Sequence, residues 1–205
     1  MRKINKGDPP PSFSSLLSSR KKPSNWDEFH KNNHDIFNEC REMILINEQD
    51  CLCGYTELPI QKISDCHIDH YRKKSLYPIF CFEWNNFIVA TKNSDFGACF
   101  KDQYYCSCIA DYLKILNPIM DNCIDFFEYD GFGKIKPKSN LSLTDISKAE
   151  ETIEAFNLNH KSLSTRRQDI ILIIDSYLQG GLPNCEIKKA ISSQGFKSLL
   201  EQYLT

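Results

Sequence analysis

The sequence predicts a mixed α+β fold, mainly helical, and three observations carry that expectation. Stretches toward both ends repeat apolar residues every three to four positions, the period of a helix with one buried face. The middle of the chain is punctuated by Cys, Gly, Pro and Asn and holds only short apolar runs, which suit strands and loops. One segment, "FFEYDGFGKIKP", sets two short runs about Asp130-Gly131 and reads as a β-hairpin. At 205 residues, 41% hydrophobic and 25% charged, the chain can bury one good core, or a core with a small appended unit.

Residues 7–24, "GDPPPSFSSLLSSRKKPS", are predicted to be extended or loosely ordered, because they are rich in Pro and Ser and three prolines in a row cannot sit inside a helix. A helix is expected from Asn25, with Glu28 completing a capping box. Trp26, Phe29, Ile36, Phe37, Cys40, Met43 and Ile44 then share one face of about five turns. Helical order should fail near Asp50-Cys51, where "CLCGYTELP" brings Cys, Gly and Pro together. Short strands and loops follow, with "PIFCFEW" suited to a buried strand that Asn85-Asn86 would end. "FGACFKDQYYCSCIADYLKIL" predicts a helix ending before Pro118, and Gly131-x-Gly133 in the hairpin is a turn, too short for a phosphate-binding loop. "TDISKAEETIEAFNL", capped by Thr144 or Asp145, and "LSTRRQDIILIIDSYL" are helical; Gly180-Gly181 break the chain before a last helix around 184–203.

Three regions follow: a basic Pro/Ser-rich arm (1–24), a core (25–145) and a helical carboxy-terminal region (146–205) that is a candidate docking surface. The net charge of −2 is unevenly spread. Residues 1–23 hold Arg2, Lys3, Lys6, Arg20, Lys21 and Lys22 against Asp8 alone, a local +5, which leaves the remainder near −7. Such an arm can attract phosphates or dock on an acidic partner. No apolar run approaches the roughly 18 residues of a membrane span, and the start lacks the apolar stretch of a secretory signal, so a cytoplasmic protein is expected. The ten cysteines are then read as reduced thiols, with Cys40, Cys81 and Cys123 acting as small hydrophobes.

Chemistry concentrates in "CHIDHYRKKSLYPIFCFEWNNF", Cys66 to Phe87. His70 is suited to act as a general base near neutral pH, and the carboxylate of Asp69 can hold a divalent cation that polarises a phosphate oxygen. On a strand these neighbours point to opposite faces, so a bend or loop must aim both at one substrate. Asn86 is the residue expected to orient the imidazole, and Arg72, Lys73 and Lys74 stand where a phosphodiester backbone needs cations.

Asp-His, sixteen residues, Asn and then a helix is the pattern of the ββα-metal finger, and in it the sequence resembles the HNH nucleases. In order, "MRKINKG" with following prolines, "NEQDCLCGY", "HIDHYRKKSLYP", "WNNF", "GACFKD", "YDGFGKIKP", "AEETIEAFNLN" and "RR" look like the PtuB family of HNH-nuclease subunits from Septu-type and retron-associated phage-defence systems. The resemblance covers most of residues 1–170. It implies an embedded HNH finger, with His70 as general base, Asp69 as metal ligand and Asn86 as the central asparagine, Asn85 being a less suitable substitute. His67 would ligate metal or support His70. The family form is usually His-Ile-Glu-His, so Asp69 keeps the carboxylate on a shorter stem. The third position is open: Ala98 stands three before Lys101, where a His or Asn is usual, and Asp95, Asn93 or Asp102 are the substitutes, with Asp102 preferred.

The resemblance implies Mg²⁺ or Mn²⁺ as cofactor, Lys101 beside the basic run in contact with nucleic acid, and a PtuA-like ATPase partner, with a reverse-transcribed nucleic acid in retron-linked forms. A structural zinc is expected to be absent, because the first cysteine pair of related proteins reads here Cys53-Gly-Tyr-Thr56. A compact zinc site from Cys51, Cys53, His67 and His70 is the competing reading of the same stretch. The rival function is a catalytically inactive HNH-fold adaptor that binds a partner or nucleic acid.

Overall fold

The computed structural model describes residues 1–204. Among the described residues, eight helices and two small antiparallel sheets surround one contiguous apolar core, which takes side chains from Met1 through to Leu204. The architecture is therefore mixed α+β and mainly helical.

The first departure from expectation lies in the arm. Pro11 opens helix α1 (Pro11–Ser18), a first-turn position where its missing N–H costs nothing. Phe13 and Leu16 are buried, and the Phe13 ring lies 5.5–6.0 Å from Phe29, Trp84 and Phe87. Upstream, Lys6 reaches the buried Glu48 carboxylate at 2.5 Å, and Glu48 also accepts from Gly7 N and Trp84 Nε1. The basic segment is thus bolted to the core at its start and loose in charge only at its end.

The single helix expected from Asn25 is two. Helix α2 (Trp26–Asn32) is capped by Asn25, whose side chain accepts from Glu28 N; the Glu28 carboxylate accepts from Ser24 N and Oγ, one residue earlier than a regular capping box. Asn32-Asn33 breaks the helix, and α3 (His34–Met43) continues as a wider turn over Ile44–Glu48. It stops where expected: Asp50 and Cys51 take positive φ of 54° and 59°.

Strand β1 (Cys66–His70) pairs antiparallel with β2 (Phe87–Thr91), Cys66 opposite Thr91 and His70 opposite Phe87. "PIFCFEW" is not the strand. Pro78 has no N–H for a ladder, and the segment forms short 3₁₀ turns at Pro78–Phe80 and Trp84–Asn86. The strand is the β-branched run after Asn86, whose outer edge is covered by the Gln49 side chain, which bonds both Val89 N and Val89 O. The next expected helix is also broken. Helix α4 (Ala98–Phe100) widens through Lys101–Tyr105 and ends, because the Asp111 carboxylate captures Ser107 N and Cys108 N and starts a separate 3₁₀ turn at Ile109–Leu113.

Strands β3 (Phe127–Tyr129) and β4 (Ile135–Pro137) form the expected hairpin, with a longer loop in which Asp130 accepts from Phe132 N and Lys134 N. Helix α5 (Leu143–Ala155) is capped by Ser142, not by Thr144 or Asp145. Helix α6 (Lys161–Gln179) sends Arg167 inward to the carbonyls of Gly133 (2.8 Å) and Leu158. Gly133 (φ 72°) is obligatory, since a Cβ there would lie 2.2 Å from Ser164 O. The last helix splits into α7 (Asn184–Ile191) and α8 (Lys197–Tyr203), because Gly195-Phe196 dock on Glu57: Phe196 N and Ser198 N bond its carbonyl and carboxylate. No described helix is long and apolar enough to cross a membrane.

Candidate functional site

Residues 66–105 run strand, sixteen-residue loop, strand, helix, and the candidate site residues gather at the end of β1. Asn86 organises the loop. Its Oδ1 accepts from Arg72 N (2.8 Å) and its Nδ2 donates to Arg72 O (3.0 Å) and Phe80 O (3.2 Å), while Tyr71 N bonds Asn86 O at 2.9 Å. The asparagine therefore holds the loop backbone and does not touch the imidazole, as the sequence reading expected it to.

The imidazole is held by that backbone. His70 Nε2 lies 2.9 Å from the Cys81 carbonyl, which can only accept, so Nε2 carries the hydrogen and Nδ1 is the ring's proton acceptor. The ring packs edge-on to Trp26 at 4.3 Å and Phe87 at 5.1 Å. Burial lowers its pKa against the raising effects of the Cys81 carbonyl and Asp69, so the ring is neutral at neutral pH.

Asp69 leaves the opposite face of β1. Its Oδ2 accepts from Tyr55 OH at 2.5 Å and from Lys101 Nζ at 3.2 Å. Lys101, from the turn after α4, has no exposed surface, and its ammonium also donates to Tyr71 O (2.9 Å) and His70 O (3.4 Å). Asp102 Oδ1 sits 3.1 Å from the same ammonium, an ion pair without hydrogen-bond alignment. Burial works to raise the Asp69 carboxyl, but the Lys101 charge, the neighbouring His67 ring and the Tyr55 hydroxyl outweigh it and hold Asp69 below the ordinary value. Asp102 is pushed up by burial and by Asp69. Lys101, despite burial, is held protonated above its usual value by the two carboxylates. His67 shares the Asp69 face, and burial lowers its pKa.

The basic residues divide. Lys101 is enclosed and cannot reach a phosphate from this position, a correction to its expected role. Lys73 Nζ is spent on Asp102 O at 2.8 Å. Arg72 lies over the Phe80 ring at 4.8 Å and is exposed, and Lys74 is exposed with only a loose pair to Asp27 at 3.4 Å. Among substitutes for the third position, Asp95 is exposed and Asn93 caps Asp95 N, so Asp102 alone joins the cluster.

Among the described residues, no three His, Cys, Asp or Glu side chains converge to hold a metal ion. Cys51 is exposed, Cys53 lies under Thr91, and His70 faces away from His67, so that quartet forms no group. The hard oxygens of Asp69 and Asp102 do suit Mg²⁺ or Mn²⁺, and Asp102 Oδ1 is a buried oxygen without a hydrogen-bond partner. In this structure the Lys101 ammonium fills the place between these two carboxylates.

Three participants were missed in the sequence: Tyr55, Trp26 as a cover for His70, and the Cys81 carbonyl. No protein-family model matches the chain, and no curated protein is similar to it.

Proposed function

We propose that the chain is an HNH-type endonuclease that hydrolyses phosphodiester bonds in nucleic acid, the cytoplasmic effector of a bacterial antiphage system controlled by a PtuA-like ATPase partner. The observation that carries the reading is the setting of His70: a neutral imidazole, its Nε2–H committed to the Cys81 carbonyl, on a loop held shut by the Asn86 side chain. This is how a general base is prepared, with tautomer and ring plane fixed before substrate arrives. The order β1, loop, β2, α4 agrees with an HNH finger.

In the proposed reaction Nδ1 of His70 takes a proton from water as the water oxygen bonds to phosphorus. The bond from phosphorus to the leaving ester oxygen breaks, and that oxygen takes a proton from solvent. A divalent ion, held by Asp69 and Asp102 once the Lys101 ammonium has moved aside and opened the cage, would supply Lewis-acid polarisation of a phosphoryl oxygen. Arg72 and Lys74 are the cations of the basic run free to meet the backbone. Leu172 (60% exposed) and Leu178 (42%) of α6 lie outside the core and are the proposed contacts for the partner. In retron-linked forms a reverse-transcribed nucleic acid would join that assembly.

One observation favours the second reading, an inactive adaptor: Asp69 is engaged by Tyr55 and Lys101 and leaves the strand opposite to His70. Cleavage of plasmid DNA and of total cellular RNA, with Mg²⁺ or Mn²⁺ and beside His70→Ala, separates the two. Metal-dependent cleavage lost in the variant supports the nuclease. Silence of the wild type, alone and with its co-expressed ATPase, supports the adaptor.

A further inference from the structure

Two adjoining cavities, of about 460 and 220 Å³, lie between the end of the basic arm and the loop that carries Cys81. Ser24, Pro78 and Cys81 line both, so they form one groove. Its floor touches the candidate site from outside: Trp26 and Cys81 line the smaller cavity, and these two hold the His70 ring. Its walls carry Lys22 on the arm side and Lys74 on the loop side. Between them Phe82 and an Ile79 that is 82% exposed give the larger, mainly polar cavity some apolar surface, and the smaller cavity is mainly apolar. Arg20 and Lys21 stand exposed just upstream, and Arg72 just beyond Lys74. Asp27 is the one acid in the lining, and it is 92% exposed and only loosely paired to Lys74.

From this arrangement we infer that the groove between residues 22–27 and 74–82 is the binding track of an unpaired nucleic-acid strand. Cations on both rims suit successive phosphates, and the Phe82 ring with the apolar smaller cavity suits an unstacked base, the combination by which single strands are held without sequence readout. The larger cavity falls within the roughly 300–1,000 Å³ of small-ligand sites, and the smaller one extends it. The arm then serves the site as a wall of it. The inference rests on the reading of His70 above only for where the strand is delivered.

The test is binding of the full chain, in EDTA, to fluorescein-labelled ten-nucleotide pyrimidine oligomers of RNA and of DNA, and to a ten-base-pair duplex, by anisotropy over a salt series. The single strands should bind more tightly than the duplex and quench tryptophan emission. Lys22→Glu and Lys74→Glu should each lower the slope of log K against log salt by about 0.7, the value for one phosphate contact on a single strand, while Lys188→Glu on α7 leaves it unchanged. The RNA and DNA arms decide which strand is preferred, and either preference supports the groove. No binding, a preference for duplex, or slopes unmoved by both groove variants would overturn it. Binding with no cleavage of any polymer in the metal-dependent assay, alone and with the co-expressed ATPase, would sink the hydrolase and leave the groove standing. Cleavage with slopes unmoved would do the reverse.

Discussion

Replacing Lys101 by methionine removes the one positive charge from a closed cage of oxygens. The ammonium lies 3.2 Å from Asp69 Oδ2, 3.1 Å from Asp102 Oδ1 and 2.9 Å from Tyr71 O, with no exposed surface. Methionine fills a similar volume, so the loss is electrostatic: removing one partner of a buried pair typically costs about 3–5 kcal/mol. For a chain of this size each kcal/mol moves the melting temperature by roughly 2–4 °C, giving an expected fall of about 6–20 °C at pH 7. The deficit should shrink as pH falls, because the stranded carboxylates can then protonate. Mn²⁺ should restore stability by taking the vacated place, by about 2.7 kcal/mol at a hundredfold excess over its dissociation constant. Adding Asp69→Asn should recover part of the loss without metal. Thermal melts followed by circular dichroism at pH 7 and pH 5, with and without Mn²⁺, and Mn²⁺ titration by electron paramagnetic resonance read all of these. A loss under about 1 kcal/mol, or Mn²⁺ binding no tighter in Lys101→Met than in the wild type, would refute the cage as described.

Other perturbations probe the same architecture. Asn86→Ala strands two Arg72 backbone groups and Phe80 O, and should cost roughly 2–4 kcal/mol; urea unfolding with a midpoint unchanged from wild type would show that the side chain does not hold the loop. Burial holds His67 and His70 below the ordinary histidine value near 6.5, so the unfolded chain takes up protons that the folded one refuses, and stability should be full above about pH 6.5 and decline as pH falls below it. Asp102, held above the usual carboxylate range, works the other way at the acid end of that range. A melting temperature flat from pH 7.5 to pH 5.5 contradicts the buried neutral rings. Phe13→Ala should cost about 3–5 kcal/mol, as for a core aromatic; a loss within about 0.5 kcal/mol would mean that the arm is detached in solution.

What the sequence revealed follows physical locality. The β3–β4 hairpin, the failure of helix at Asp50-Cys51 and the helices around 143–155 and 161–179 all rest on contacts within a few residues, and periodicity and turn chemistry report those. The arm was misread because its order is tertiary: Phe13 is helical and buried only because Phe29, Trp84 and Phe87 receive it. "PIFCFEW" has strand composition, yet Asn86 bonds to Arg72 and Phe80 and folds it into turns. At the site, residue type and spacing single out Asp69, His70 and Asn86, and the family resemblance adds Asp102; the structure places Asp69 with Asp102 on one face of β1 and His70 on the other. The enclosure of Lys101 was not seen, because a lysine inside "ACFKD" reads as surface until Asp69, thirty-two residues earlier, is known to face it.

The bond from His70 to Cys81 ends on a main-chain oxygen. Every amino acid offers that same oxygen, so position 81 is free to drift while its service to the histidine stays constant. Alanine at this position would leave the bond to the histidine untouched, whatever it did to the groove outside. What must be preserved instead is the path of the loop, and that is guarded from a distance by the amide of Asn86. Inherited function at this position is written in backbone trajectory, with its spelling in residues that never meet the ring.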